Sequence, residues 1–162
     1  MNSTSENTMR GLRIDKVTLN IGAGKDQTKL DKGIKLLKNI TGLNPVKTFS
    51  RKRIAAWGIR VGLPIGCKIT IRKAQALSML PRLLEAVDNN LRQNHFDRFG
   101  NISFGVPEYI DIKGAKYDPE IGIMGLQVCV TLSRAGYRVM YRRMNRKQKI
   151  PDGSALFQNL DL

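Results

Sequence analysis

Several groups of residues in this 162-residue chain are of types that can do chemistry, and each lacks something the chemistry needs. Gly22-Ala23-Gly24-Lys25 follows a strand-like stretch and precedes a helical one, the setting in which loop amides hold a phosphate. The spacing of a P-loop, with its second glycine and Lys-Ser/Thr pair, is missing. The glycines are therefore read as serving the turn, with contact to an RNA phosphate as the other reading. His95 is the single histidine. Without a second histidine or a Cys cluster at ligand spacing there is no zinc set, and a Ser-His or Cys-His nucleophile would rest on this one imidazole. It reads as a surface or helix-end residue. Asp111, Asp118 and Glu120 stand near Gly and Pro, where acids commonly make turns, and no motif recommends them as a catalytic pair. Cys67 and Cys129 lie in strand-like stretches and read as reduced, core or near-core residues, a disulfide being the lesser reading. The residues thus predict no enzyme, no cofactor and no metal.

What the chain has in excess is positive charge. It carries 28 Lys and Arg against 13 Asp and Glu, a formal net charge of +15. Self-repulsion of that size weakens a compact state, so a polyanionic partner is the economical explanation. Nucleic acid and an anionic membrane both qualify. No run approaches the roughly 20 apolar residues of a membrane span, and Met1 to Thr8 is polar, without the apolar segment of a secretory leader. The expectation is a cytoplasmic protein with no membrane partner. Position matters more than the total. Acids are absent between Asp31 and Glu85 and again between Glu120 and Asp152. Mixed-sign faces are merely solvated, whereas single-sign faces generate a field. A solvated basic surface is the bland alternative, disfavoured because nothing interleaves carboxylates among these cations.

The elements that must position this charge are legible in the apolar periodicity. Arg13 to Ile21 alternates, with Ile14, Val17, Leu19 and Ile21 on or near one face and Lys16, Thr18 and Asn20 on the other, and predicts a half-buried strand. Thr28 to Thr41 shows helical spacing through Leu30, Ile34, Leu37 and Thr41, with Thr28 and Asp31 as a capping pair and Gly42 and Pro45 as the stop. Val46 to Phe49 is a short strand running into the basic stretch Ser50-Arg51-Lys52-Arg53, which ends at the turn Gly62-Leu63-Pro64. Beyond it, Cys67, Ile69 and Ile71 alternate with Lys68, Thr70 and Arg72. Ala74, Leu77, Leu80, Leu84 and Val87 mark a second helix, with Pro81 as a kink or a junction between two shorter helices. Asn101 to Phe104 and Leu126 to Leu132 complete the strands. This order predicts an α+β fold, a largely antiparallel sheet with helices packed on one face and the other face free to bind RNA. The expected organisation is a disordered tail over 1–8, a single RNA-binding domain over 9–140 and a basic C-terminal appendage over 141–162.

If the strands around Thr18, Lys47 and Lys68 share a face, Lys16, Asn20, Lys68, Thr70 and Arg72 meet the partner together. The cations would neutralise phosphates, and Asn and Thr would bond 2′-hydroxyls, phosphates or base edges. Trp57, in the basic loop, either stacks on an unpaired base or anchors the loop on its own domain, the second being preferred. Arg138, Arg142, Arg143 and Arg146, where the apolar period fades, are candidates for further contact with the same nucleic acid.

The runs RIDKVTLNIGAG (13–24), ITGLNPVKT (40–48), GIRVGLPIGCKITIR (58–72) and FDRFGNISFGVPEYIDIKGAKYDPEIGIMGLQVCVTL (96–132) resemble, in family order, the universal large-subunit ribosomal protein family that binds 5S rRNA, numbered five in the bacterial scheme; the last run resembles its archaeal and eukaryotic-type branch. The resemblance implies a protein of the central protuberance that docks a sheet face on 5S rRNA and touches large-subunit rRNA. It implies a basic loop, here Ser50 to Leu63, reaching P-site tRNA with Arg51, Lys52, Arg53 and Arg60. It also implies neighbouring ribosomal proteins of the central protuberance and the small-subunit head as partners. The family's sheet contacts fall on Asn20 and Thr70. Where the family commonly has a third contact, a Gln, this chain has Leu43; either Asn44 substitutes or the contact is absent. The C-terminal end departs from the family's basic helical extension, ending short and mildly acidic. A free-standing RNA chaperone or regulator is the alternative that the same charge allows.

Overall fold

In a computed structural model of the chain, which describes residues 11–97 and 100–136, five strands form one antiparallel sheet and two α-helices cover one of its faces. The expected tail over 1–8, the appendage over 141–162 with Arg142, Arg143 and Arg146, and Arg138 just ahead of it lie outside the described residues. The elements are β1 (Leu12–Gly22), α1 (Gln27–Thr41), β2 (Val46–Phe49), β3 (Pro64–Arg72), α2 (Lys73–Glu85), β4 (Asn101–Val106) and β5 (Leu126–Arg134). The strand order is β2-β3-β1-β5-β4, with β1 at the centre. The α+β expectation is borne out.

Strict alternation on β1, β3 and β5 fixes the faces, because successive side chains of a strand point to opposite sides. Val17, Leu19 and Ile21, Cys67, Ile69 and Ile71, and Leu126, Val128 and Val130 are all buried, on the side of the sheet that carries the helices. Ile14 stands three residues before Val17, out of phase for a regular strand. A bulge between Ile14 and Lys16 leaves Asp15 unpaired and returns Ile14 to the core side opposite Leu132.

Helix α1 buries Leu30, Gly33, Leu36, Leu37 and Ile40. A Cβ on Gly33 would meet Cys67 Sγ at 3.2 Å and Ile21 Cγ2 at 3.3 Å, so the missing side chain lets the helix lie close on the sheet. Its end is a left-handed Gly42 at φ 71°, whose amide donates to the Lys38 carbonyl at 2.8 Å. Its start differs from the expected Thr28–Asp31 pair. Asp26 takes the cap position and no side chain caps the helix, placing Thr28 inside the first turn.

Helix α2 differs more. Its buried residues are Ala76, Met79 and Leu83, while Leu77 is 59% exposed. Of the expected stripe, Ala74 and Leu77 are exposed while Leu80, Leu84 and Val87 pack partly against the core, and Ala76, Met79 and Leu83 take the fully buried positions. Pro81 neither ends nor splits the helix, which continues to Glu85. The long β4–β5 connection folds back over the core with buried Tyr109, Ile112, Ile121 and Met124. The Asp118 amide donates to the Tyr109 hydroxyl at 3.0 Å, which satisfies the polar end of that buried ring.

Candidate nucleic-acid interface

Directly opposed residues of an antiparallel pair project on the same side of the sheet, so the register assembles the open face row by row. One row runs Val46, Lys68, Asn20, Gln127, Gly105. The next runs Thr70, Thr18, Cys129, Ser103. The third runs Arg72, Lys16, Thr131, Asn101. None of these rows holds a carboxylate. Cations, hydroxyls and amides therefore share one shallow surface roughly four to five strands wide, at about 4.8 Å per strand.

The structure brings together Lys16, Asn20, Lys68, Thr70 and Arg72, as expected. Asn20 Nδ2 donates to Gln127 Oε1 at 3.1 Å, which holds the Asn20 amide in place and leaves its carbonyl oxygen open. Arg72 is partly engaged, its Nη1 lying 3.3 Å from Asp15 Oδ2. Lys16 and Lys68 make no ion pair among the described residues. Asn44 is not in the ladder: it is an exposed residue of the connection between α1 and β2, two residues ahead of Val46. Lys47 stands opposite Cys67 and so projects to the helix side, away from Lys68. Gln127, Ser103, Thr131 and Asn101 join the face without having been singled out from the sequence. The alternation over 126–132 was a usable signal, but only the pairing of β5 with β1 shows that its polar side joins that of Asn20.

The basic loop between β2 and β3 is closed by its own backbone. The Ser50 amide donates to the Leu63 carbonyl at 2.9 Å, and the Gly62 amide to the Ser50 carbonyl at 2.9 Å. Farther out, Ile54 and Ile59 exchange bonds of 2.9 and 3.0 Å around a short 3₁₀ turn, Ala55–Trp57. These pairs make the loop a stiff extension of the strands. Arg51, Lys52, Arg53 and Arg60 are exposed along it. Trp57 is 67% exposed and does not anchor the loop on its domain, which corrects the preferred reading. The indole projects from the tip because the turn is held by main-chain bonds and has no need of it.

The other candidates resolve plainly. The amides of Ala23 and Gly24 both donate to the Ile65 carbonyl, at 2.9 and 3.0 Å, so this glycine loop spends its donors on the β3 end and serves the turn. Asp118 and Glu120 both bind Lys35 of α1, Asp118 at 3.2 Å. The Glu120 amide and Lys35 hold the Asp118 carboxyl below its usual range, and the two carboxylates raise the Lys35 ammonium. This is a strap between α1 and the β4–β5 connection, and its two acids share one lysine. His95 ends a short 3₁₀ turn, accepting a long 3.4 Å bond from the Arg92 amide at Nδ1. No metal-binding group occurs among the described residues. Cys67 is buried, and desolvation pushes its thiol up to about 11. Cys129 lies instead on the open face, so the sheet separates the two thiols and both are free. No helix among the described residues is long and apolar enough to cross a membrane.

A positively charged, carboxylate-free sheet face backed by two helices belongs with the ribosomal proteins when set beside known chains. Residues 7–60 match the family described as ribosomal protein L5, and residues 64–152 match the model of that family's C-terminus. The large ribosomal subunit protein uL5 of Nanoarchaeum equitans is 51% identical over 144 residues, 88% of this chain and 85% of the relative. That of Sulfolobus acidocaldarius is 47% identical over 146 residues, 90% and 82%. That of Methanobrevibacter smithii is 43% identical over 145 residues, 90% and 85%. The chain belongs to the L5 family of ribosomal proteins, in its archaeal uL5 type, a structural family without enzymatic activity.

Proposed function

We propose that the open sheet face docks on 5S rRNA and large-subunit rRNA in the central protuberance, and that the loop over 50–63 reaches P-site tRNA. As a member of its family the chain is a structural, rRNA-binding component of the large ribosomal subunit. The observation that carries the finer reading is the set of cross-strand rows, which gather Lys16, Lys68, Asn20 and Thr70 with no carboxylate among them. Lysines there neutralise phosphates, while Asn20 and Thr70 offer acceptors and donors at 2′-hydroxyls and base edges. The face is flat and broad, suited to the wide, shallow minor groove of an RNA helix. Asn44 sits just ahead of β2, beside this face, and is a peripheral contact. The loop lifts Arg51, Lys52, Arg53 and Arg60 clear of the sheet and adds an exposed indole, a combination that serves a second, more distant RNA. Arg138, at the end of a single domain over 9–140, and Arg142, Arg143 and Arg146, in the appendage over 141–162, extend the rRNA contact. Neighbouring proteins of the central protuberance and the small-subunit head complete the partners, and the ribosome of the cytoplasm is the location.

Footprinting of 5S rRNA tests partner and face together. The wild-type chain protects a defined stretch, and Asn20→Ala and Thr70→Ala weaken that protection without moving the melting temperature appreciably. Equal affinity for 5S rRNA and for an unrelated RNA of the same length would refute the reading.

A further inference from the structure

At the end of the sheet where β1 carries its bulge, the chain lines a cleft of about 710 Å³ with Arg13, Lys16, Lys73 and Arg134. The cleft has one carboxylate, Asp15, and that is already met by Arg72 at 3.3 Å. Among the described residues none of the four lining cations has a side-chain hydrogen bond or an ion pair. Arg134 goes further, for its Nε is buried with no acceptor at all. A buried guanidinium N–H left without an acceptor is costly, and native structures rarely tolerate one unless a partner arrives.

The backbone points the same way. Lys73 sits at φ 58°, in the left-handed region that a lysine ordinarily avoids. Strain of this kind persists where the surrounding structure holds it, and ligand clamps are one such place. Lys73 also opens α2, which has no side-chain cap and no acid in its first turn. Its free first-turn amides add partial positive charge beside the cleft.

We propose that this cleft, at the end of the sheet, seats a backbone phosphate of the RNA lying across the sheet face, with Lys73 and Arg134 as its ligands; Arg13, opposite Ser133, projects to the other side from Arg134, opposite Leu12, and lines only the rim. Lys16 and Thr131 line the cleft and also stand in the third row of the open face, so the two surfaces are continuous. The inference rests on the rRNA-binding reading above. A planar guanidinium offers paired N–H donors that match two phosphate oxygens, and Arg134 Nε is one such donor already withdrawn from water.

The test is a titration of 5S rRNA with the full chain across a range of salt, using wild type, Lys73→Gly, Arg134→Gln and Asn20→Ala. Glycine is at ease at φ 58°, so Lys73→Gly removes the cation while relieving the backbone, and its melting temperature should hold or rise. Lys73→Gly and Arg134→Gln should each lower affinity several-fold at low salt and flatten the plot of log Kd against log salt by about 0.7 to 0.9. If Arg134→Gln fails to fold, Lys73→Gly alone decides. Wild-type affinity and slope in Lys73→Gly, with weakened binding in Asn20→Ala, would overturn the cleft and leave the face intact. A wild-type chain that does not bind 5S rRNA would overturn both.

Discussion

The two sides of the sheet treat charge in opposite ways. On the helix side, Lys35 binds Asp118 and Glu120, Lys113 lies 3.0 Å from Glu85, and Arg82 Nε donates to the Lys113 carbonyl at 2.7 Å. Those contacts tie both helices to the β4–β5 connection, and the cations in them are structural. On the open side, Lys16 and Lys68 stand among hydroxyls and amides, and the nearby acids lie at the margins, Asp15 in the bulge and Asp97 beside Asn101 at the β4 end. The same residue types therefore do different work on the two sides. Lack of a partner does not by itself mark the open face, since Lys32 and Lys38 of α1 are exposed without an ion pair among the described residues too; its mark is unpaired cations standing in cross-strand rows that hold no carboxylate.

Adjacent residues on β1 give the sharpest way to break this contrast. Leu19→Ala removes a fully buried side chain from the helix side and should cost about 2–5 kcal/mol, read as a lowered midpoint in denaturant or heat. Thr18→Ala, one residue away on the open side, should change stability by no more than about 0.5 kcal/mol yet weaken 5S rRNA binding. Comparable destabilisation by both substitutions would mean that the open face is core and not interface.

The cysteines offer a smaller, cleaner comparison, since one lies on each side. Alkylation near neutral pH should modify Cys129 and spare Cys67, which is buried and titrates at about 11. Bound 5S rRNA should then protect Cys129. Labelling of Cys67 in the folded chain, or no protection of Cys129, would blur the distinction between the faces.

The smallest effect concerns the strap. Asp118 has a lowered pKa in the folded chain, so its contribution is present above the ordinary carboxylate value and is lost as pH falls through the folded one. Lys35 is raised, so its share persists below its ordinary value near 10.5 and is lost as pH rises through the still higher folded value. Wild type should exceed Asp118→Asn in melting temperature by a small, constant margin between about pH 5 and 9, with the margin closing in acid. Because the pair is exposed, added salt should narrow it too. RNA affinity of this variant should match wild type at neutral pH.

The strands β1, β3 and β5 are legible in the sequence because a half-buried strand must alternate, and α1 because a helix on a sheet must show a stripe. Where the periodicity alone misleads, burial corrects it. Leu77 continues the apolar pattern of α2 but faces outward, since the rotation of a helix about its axis is set by the surface it packs on. Pro81 suggests a kink or a junction, and α2 runs through it without dividing into two helices. Trp57 looks like an anchor by size alone, and the main-chain bonds of its loop make an anchor unnecessary. Sequence reasoning groups Lys47 with Lys68, and the register puts them on opposite sides.

By itself the sequence determined the class of partner and the polar side of each strand: a period of two and an absence of acids are properties of the chain read in order. Only the tertiary structure decided which polar sides join. Lys68, Asn20 and Gln127 are far apart along the chain, and nothing but antiparallel pairing in this register sets them in one row. The same holds for Arg13, Lys73 and Arg134, which line one cleft because β1, β5 and the start of α2 end together. Pairing between distant segments is a property of the folded sheet, and a linear pattern carries no record of it.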